Sequence, residues 1–386
     1  GGENIKKILT GLEMEIVSEN DEKYELLVPA YRVDVQRDVD VIEDILRIYG
    51  YNNVEIGENL ISTLSYSKKP DSFKLQVLIS EQLTAQGFNE VLNNSLTKGA
   101  YYANLSEYPE NQSVKILNPL SSDLNVMRQS LIFGGLENIA YNINRRNSDL
   151  KLYEFGNCYH FNAENKKADE TLAAYSEEFH LGLWITGNKN VNSWTVSEQK
   201  SSVFELKAYV QNILSRLGFD TQKLVMEELS SDIYAESLCI KSRRKKTLAN
   251  FGVVSENLKN IADIKQDVFY ADLLWNNILE ELTYHQVSYK ELPKFQDVRR
   301  DLALLIDKNI TFAEIEKIAY ETEKQLLKNV TLFDVYEGKN LEAGKKSYAV
   351  SFTLLDENKT LTDNVIDGIM KKIQQNLETK LGAKLR

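Results

Sequence analysis

Four carboxylates near the start of the chain have the types and spacing for hard-cation chemistry. Asp34 lies in an extended run, and Asp40, Glu43 and Asp44 follow at i, i+3, i+4 of a helical repeat. Oxygen donors of this kind suit Mg²⁺, which binds through few carboxylates and keeps several waters, so the site could sit at a surface shared with a partner chain. The same residues also read as an ordinary acidic first turn. Carboxylates there are favoured by the helix dipole, and Arg47 answers them one turn later.

The element that must position these acids begins near Asp38. Ile42, Ile45, Leu46 and Tyr49 recur at the spacing of a buried helix face, with Asp40, Glu43 and Asp44 on the other side. Before it come a short helix over residues 5–12 and strands over 14–17 and 24–28. Lys68, Lys69, Pro70 and Asp71 make a linker, and Asp71 can cap the next helix, whose apolar face starts with Phe73, Val77 and Leu78.

Other chemistry is sparse. His160 and His180 stand at ends of β-like runs and His285 in a polar linker, without a serine or cysteine motif, so all three read as structural. The basic run 241–246 lies between two β-like runs and reads as a solvated hairpin tip rather than a phosphate site. Residues 162–178, with few apolar anchors, read as an exposed hairpin loop or mobile insertion.

Bulk properties narrow the class. A chain of 386 residues implies two to three domains, and 42% hydrophobic residues suffice for globular cores. No apolar run is long enough to cross a membrane. Two isolated cysteines, Cys158 and Cys239, give neither a disulfide framework nor a zinc site and fit a reducing cytoplasm. The start at Gly1-Gly2, without methionine or a signal-like segment, reads as a cut or processed fragment.

The net charge of −11 argues against wholesale nucleic-acid binding. It is uneven, however. From Leu292 onward 16 Lys and Arg face 15 Asp and Glu, a net of +1, which leaves −12 for the first 291 residues. RNA contact is therefore expected in the last module. That module reads as strand, helix, strand, strand, helix, strand, a ferredoxin-like βαββαβ layout with Thr311 and Glu314 as a capping box, Thr362 or Thr360 capping the second helix, and Gly338 and Gly344 breaking the hairpin. One face of such a sheet is open, available for aromatic stacking and phosphate contact. Phe295, Arg299, Arg300, Tyr336, Lys345 and Lys346 are the candidates for RNA contact.

Three blocks of the sequence carry a family resemblance. R-V-D-V-Q-R-D-V-D-V-I-E-D-I-L-R-I-Y-G-Y at 32–51 resembles the small metal-binding module of the bacterial phenylalanine–tRNA ligase beta chain. By that resemblance Asp34, Asp40, Glu43 and Asp44 fall on magnesium positions, with Asp44 standing where the family usually has Glu. N-P-L-S-S-D-L-N-V-M-R-Q-S-L-I-F-G-G-L from Asn118, then Asn142, Arg145 and Y-E-F-G at 153–156, are similar to the same family's catalytic-like domain, a class II synthetase fold. K-F-x-x-V-R-R-D-L-A-L, L-F-D-V-Y-E-G, G-K-K-S-Y-A-V-S-F, K-T-L-T-D and a terminal G-A-K-L-R resemble its ferredoxin-fold anticodon-binding domain, with Gln296 and Lys359 departing from the usual Pro and Arg.

The resemblance implies an α+β multidomain chain: a small metal-binding module (1–67), a catalytic-like, non-catalytic antiparallel sheet with helices (68–288) and a ferredoxin-like anticodon-binding domain (289–386). It implies a cytoplasmic α2β2 ligase that attaches phenylalanine to tRNA(Phe) with ATP and Mg²⁺, the chemistry residing on the alpha chain. This piece would scaffold that chain and read the anticodon, without DNA or a membrane as partner, and would be inactive alone. The family's proofreading and extra tRNA-binding domains would lie upstream of Gly1. No G-x-G-x-x-R occurs here to hold an ATP γ-phosphate, so Arg128 reads as a buried, paired arginine shaping a helix start and, with Asn142 and Arg145, a chain interface. A free-standing RNA-binding or assembly module is the alternative. Association with an alpha chain separates the two.

Overall fold

In the computed structural model the described residues are 2–386 except 21, 56, 58–61, 65–69, 168, 285–288, 290, 339 and 340. Lys68 and Lys69 of the expected linker, the expected boundaries at 67/68 and 288, and His285 lie outside them.

The first unit packs helix Gly2–Gly11 and helix Asp38–Tyr49 beside a hairpin of Glu15–Glu19 and Tyr24–Leu27. Its core is small, with Leu9 and Met14 buried. The expected buried face of the second helix is not realised: Ile42 is 51% exposed, Tyr49 is exposed, and Ile45 and Leu46 are only half-covered. The apolar repeat is present, but these few elements cannot cover it.

A seven-stranded sheet forms the centre of the chain. Its order is Val225–Glu228, Tyr234–Lys241, Thr247–Val254, Val268–Leu274, Tyr175–Thr186, Leu150–Phe161 and Asn89–Glu90. All neighbours are antiparallel except the last pair. Side chains alternate along each strand, so odd and even positions form two different layers. Odd positions such as Tyr153, Leu181, Leu183, Phe251 and Leu273 pack against helices Ser72–Ala85, Val203–Arg216 and Trp275–Leu282. Even positions such as Leu152, Trp184, Val268 and Tyr270 pack against helices Ile132–Ile143 and Glu256–Ile261.

Asp71 caps Ser72–Ala85, accepting from the Lys74 N–H at 3.2 Å. That helix buries Ile79 and Leu83, while Phe73 and Val77, expected on its apolar face, are exposed. Residues 175–178 extend the strand Tyr175–Thr186, which pairs with Leu150–Phe161 over its full length, so the loop between them is shorter than expected. The basic run is a hairpin tip closed by Ser242 N–H to the Lys246 carbonyl, 2.8 Å.

The last unit has strands Val298–Asp307, Leu327–Tyr336, Lys345–Leu354 and Lys384–Leu385, with helices Phe312–Thr322 and Asp363–Leu381 in the βαββαβ order. Its sheet runs Leu327–Tyr336, Lys345–Leu354, Val298–Asp307, Lys384–Leu385. The Thr311 and Glu314 capping box is formed, Glu314 Oε2 accepting from the Thr311 N–H at 2.8 Å. The helices cover one face through Ile315, Ile366, Ile373 and Leu377, which meet Leu304, Ile306, Val350 and Phe352. The other face is open.

Candidate functional site

The acidic helix holds its carboxylates through arginine. Arg32 donates from Nε and Nη2 to Asp34 (3.2 and 3.0 Å) and from Nη2 to Asp44 at 2.6 Å. Asp40 accepts from the Gln36 and Arg37 N–H groups at 3.0 and 2.8 Å and from the Arg37 guanidinium at 3.0 Å. The Arg37 side chain and these amides hold Asp40 below the usual carboxylate range, and Arg32 does the same for Asp34. Glu43 is exposed. Among the described residues no three Asp, Glu, His or Cys side chains are gathered closely enough to hold a metal. The four acids as they stand therefore do not fit a magnesium ion, because guanidinium groups already occupy the oxygens of three of them.

Arg128 is buried and paired. It reaches across the even face of the central sheet, its Nη1 donating to Glu154 Oε1 at 2.6 Å and its Nε to the Asn157 carbonyl at 2.9 Å. Glu154 also accepts from Asn93 N–H and Nδ2, at 3.2 and 2.6 Å, and Asn93 accepts from Asn138 on the following helix at 2.7 Å. Gly156 makes room, since a Cβ there would collide with Arg128 Nη2. Asn142 and Arg145 sit instead at the far end of helix Ile132–Ile143. Asn142 Nδ2 donates to the Asn138 carbonyl, and the exposed Arg145 guanidinium lies 3.4 Å over the Tyr141 ring. The three nominated interface residues are thus not one patch. A helix of about 18 Å separates Arg128 from the other two.

Five of the six RNA candidates divide between the two faces of the last sheet, and Phe295 precedes it. Arg299 lies opposite Thr353 and Tyr336 opposite Ser347, both on the open face. There the Arg299 guanidinium stands 5.3 Å from the Phe333 ring centroid, and the Arg386 guanidinium 5.1 Å from that of Tyr336. Lys345 pairs with Asp307 at 2.8 Å. Phe295 is half-buried in the segment leading into the first strand.

Arg300 and Lys346 do not share that face. Arg300 reaches Asp363 at the start of the last helix, 3.2 Å, and Lys346 is only 7% exposed, its ammonium 4.5 Å over the Tyr348 ring on the helix side. Adjacent basic residues on a strand point oppositely, so each of the pairs 299/300 and 345/346 offers one member to the open face. Phe333 and Arg386 were not nominated. Both lie in the quoted motifs, but Phe333 sits at a register shift between Leu332 and Asp334, which strict alternation does not reveal.

Comparison with known proteins now decides the family. Residues 58–275 match the family described as "Phenylalanyl tRNA synthetase beta chain CLM domain", more than half of the chain. The chain belongs to the phenylalanyl-tRNA synthetase beta-chain family. Residues 1–51 match the "tRNA synthetase B5 domain" and 293–386 the "Ferredoxin-fold anticodon binding domain". Proteins named phenylalanine–tRNA ligase beta subunit are similar over the whole chain: 60% identical in Bacteroides fragilis, 50% in Porphyromonas gingivalis and 31% in Fusobacterium nucleatum. In each case the aligned region is 47% of the relative, so the chain spans about half the length of these beta subunits. No helix among the described residues is long and apolar enough to cross a membrane.

Proposed function

We propose that this chain is the part of a phenylalanine–tRNA ligase beta chain that supports the catalytic alpha chain and contacts the anticodon region of tRNA(Phe). In this reading the ligase is a cytoplasmic α2β2 assembly, ATP and phenylalanine are handled on the alpha chain, and this piece alone is inactive. Its working division is 1–67, 68–288 and 289–386. One observation carries the RNA part: the open face of the ferredoxin-like sheet presents two guanidinium–aromatic pairs, Arg299 with Phe333 and Arg386 with Tyr336. Such groups stack on bases and neutralise phosphates.

Scaffolding rests on apolar surface that this chain does not cover. Leu120 of the N-P-L-S segment and Leu117 just before it, Leu92, and Phe73 and Val77 on helix Ser72–Ala85 are all exposed. Contiguous exposed apolar surface marks contact sites, and Phe73 and Val77, one helical turn apart, lie together on one surface groove. Magnesium enters only as a proposal for a rearranged acidic helix in which Arg32 has released Asp34 and Asp44.

Light scattering of the chain mixed with an alpha chain from the same source tests the reading. A complex near the mass of two chains of each kind is the expected result. Two separate species, with tRNA still bound by this chain, would instead favour a free-standing RNA-binding or assembly module.

A further inference from the structure

A cleft of about 370 Å³ opens on the even face of the central sheet, away from the RNA face and the acidic helix. That volume lies within the range of small-molecule sites, roughly 300 to 1,000 Å³. The register builds it: Asn250 lies opposite Asp272, and Leu274 opposite His180, so three neighbouring strands bring Asn250, Asp272 and His180 to one face. Glu178, two residues before His180, shares that face. Asp272 Oδ1 holds His180 Nδ1 at 2.7 Å, and Glu178 Oε2 stands 3.5 Å from His180 Nε2, close enough for charge attraction but too far for a good hydrogen bond.

Three polar atoms of this lining are buried and have no hydrogen-bond partner among the described residues: Gln129 Oε1, Asn250 Oδ1 and His180 Nε2. Gln129 is 1% exposed and His180 6%. The Gln129 amide cannot be turned to remove the problem. Its Nε2 donates to Ser113 Oγ at 2.8 Å and to the Pro109 carbonyl at 3.3 Å, and a carbonyl only accepts, so Oε1 must face the cleft. Native folds leave few buried polar groups unpaired, and three around one cleft call for a ligand that pairs them.

The lining states what that ligand is. Glu178 and Asp272 against one imidazolium leave a net negative charge. The Asn250 amide is held in neither orientation by a hydrogen bond among the described residues and can turn its oxygen inward. The Gln129 carbonyl oxygen, the Asn250 amide oxygen and the Glu178 carboxylate match the three N–H donors of a primary ammonium, and His180 Nε2–H offers a donor to an acceptor on the same molecule. We propose that the cleft binds a small primary-ammonium compound with an adjacent hydrogen-bond acceptor, its ammonium held by Gln129, Asn250 and Glu178 and its acceptor by His180. This goes beyond aminoacylation and does not depend on it.

Ethanolamine, ethylene glycol and acetate are the probes, titrated into the whole chain and followed by the chemical shifts of the His180 ring. Ethanolamine is expected to bind about tenfold more tightly than the neutral glycol, and acetate not to compete. Glu178→Gln, at a half-exposed position that leaves the fold intact, should weaken ethanolamine about tenfold, and Asn250→Asp should tighten it. Equal binding of ethanolamine and ethylene glycol, no binding of ethanolamine, or unchanged affinity in both variants would show a cleft filled by solvent and overturn the proposal.

Discussion

Arg128 and Glu154 form an ion pair at 2.6 Å in which the two side chains are 7% and 0% exposed. Each partner is also satisfied elsewhere, Arg128 by the Asn157 carbonyl and Glu154 by Asn93, so the pair ties the N-P-L-S…M-R segment to the sheet. Buried pairs gain little over apolar replacements, but removing one member leaves an unpaired buried charge that costs about 3–5 kcal/mol.

Arg128→Leu alone should therefore destabilise the central module by about 3–5 kcal/mol, and Glu154→Leu similarly, while the double variant should lose less than the two together. Urea unfolding followed by tryptophan fluorescence reads this module selectively, because Trp184, Trp194 and Trp275 all lie within it. Additive losses would mean that the pair is not a coupled unit.

His180 should make the same module's stability depend on pH. Burial alone would push the imidazole down, but the charge and hydrogen bond of Asp272, with Glu178 behind them, outweigh it and hold the group up at about 10. The other titratable groups lining the same cleft are His160, itself pushed down by burial, and Tyr108, which burial pushes well up. A folded value above the unfolded one of about 6.5 gives a contribution fully present below pH 6.5 and lost as the pH rises through about 10. His180→Asn keeps a donor for Asp272 and cannot charge. The gap in unfolding free energy between the unsubstituted chain and this variant should be on the order of 3 kcal/mol at pH 6 and shrink towards pH 10. A gap that is constant with pH would show a neutral His180.

Much of this architecture is legible from periodicity. The βαββαβ order, the Thr311 cap and the helix at Asp38 follow from apolar spacing and polar punctuation, which are local properties. What spacing does not carry is which neighbours cover a face. Ile42 and Tyr49 have the repeat of a buried helix and remain exposed, because among the described residues of the first unit a two-stranded hairpin and one other helix are what is set against it. The polar cleft is invisible for the same reason: Gln129, Glu178, His180, Asn250 and Asp272 are scattered through the sequence, and only the register of antiparallel strands gathers most of them. Likewise Asp34, Asp40, Glu43 and Asp44 look like a cation site until Arg32 and Arg37, inside the same motif, are seen to reach all but Glu43.

That competition makes the acidic helix testable. If Arg32 occupies Asp34 and Asp44 in place of a cation, Arg32→Met should free both carboxylates and increase their mutual repulsion. Magnesium should then raise the melting temperature of the variant by more than it raises that of the unsubstituted chain, with sodium chloride of equal ionic strength as control. An Mg²⁺-specific rise in the unsubstituted chain that disappears in Asp40→Ala/Glu43→Ala would instead show that the ion displaces the arginines.

The two faces of the sheet in the last unit separate basic residues that composition does not distinguish. Arg299 and Lys346 are both basic, and composition treats them alike, yet one lies on the open face beside Phe333 and the other under the helices beside Tyr348. If RNA is read on the open face, Arg299→Ala, Tyr336→Ala and Arg386→Ala should each weaken binding of a tRNA(Phe) anticodon stem-loop to the chain by about five- to tenfold, at roughly 1 kcal/mol or more per stacking or phosphate contact. Arg299→Ala and Arg386→Ala should also lower the slope of log affinity against log salt by about one each if they touch phosphate, whereas Tyr336→Ala should leave the slope unchanged. Lys346→Met keeps the buried aliphatic stem and removes only the charge. It should leave both affinity and slope unaltered, and a loss equal to that of Arg299→Ala would place RNA on the helix side, or show that the strand turns its other face to the nucleic acid.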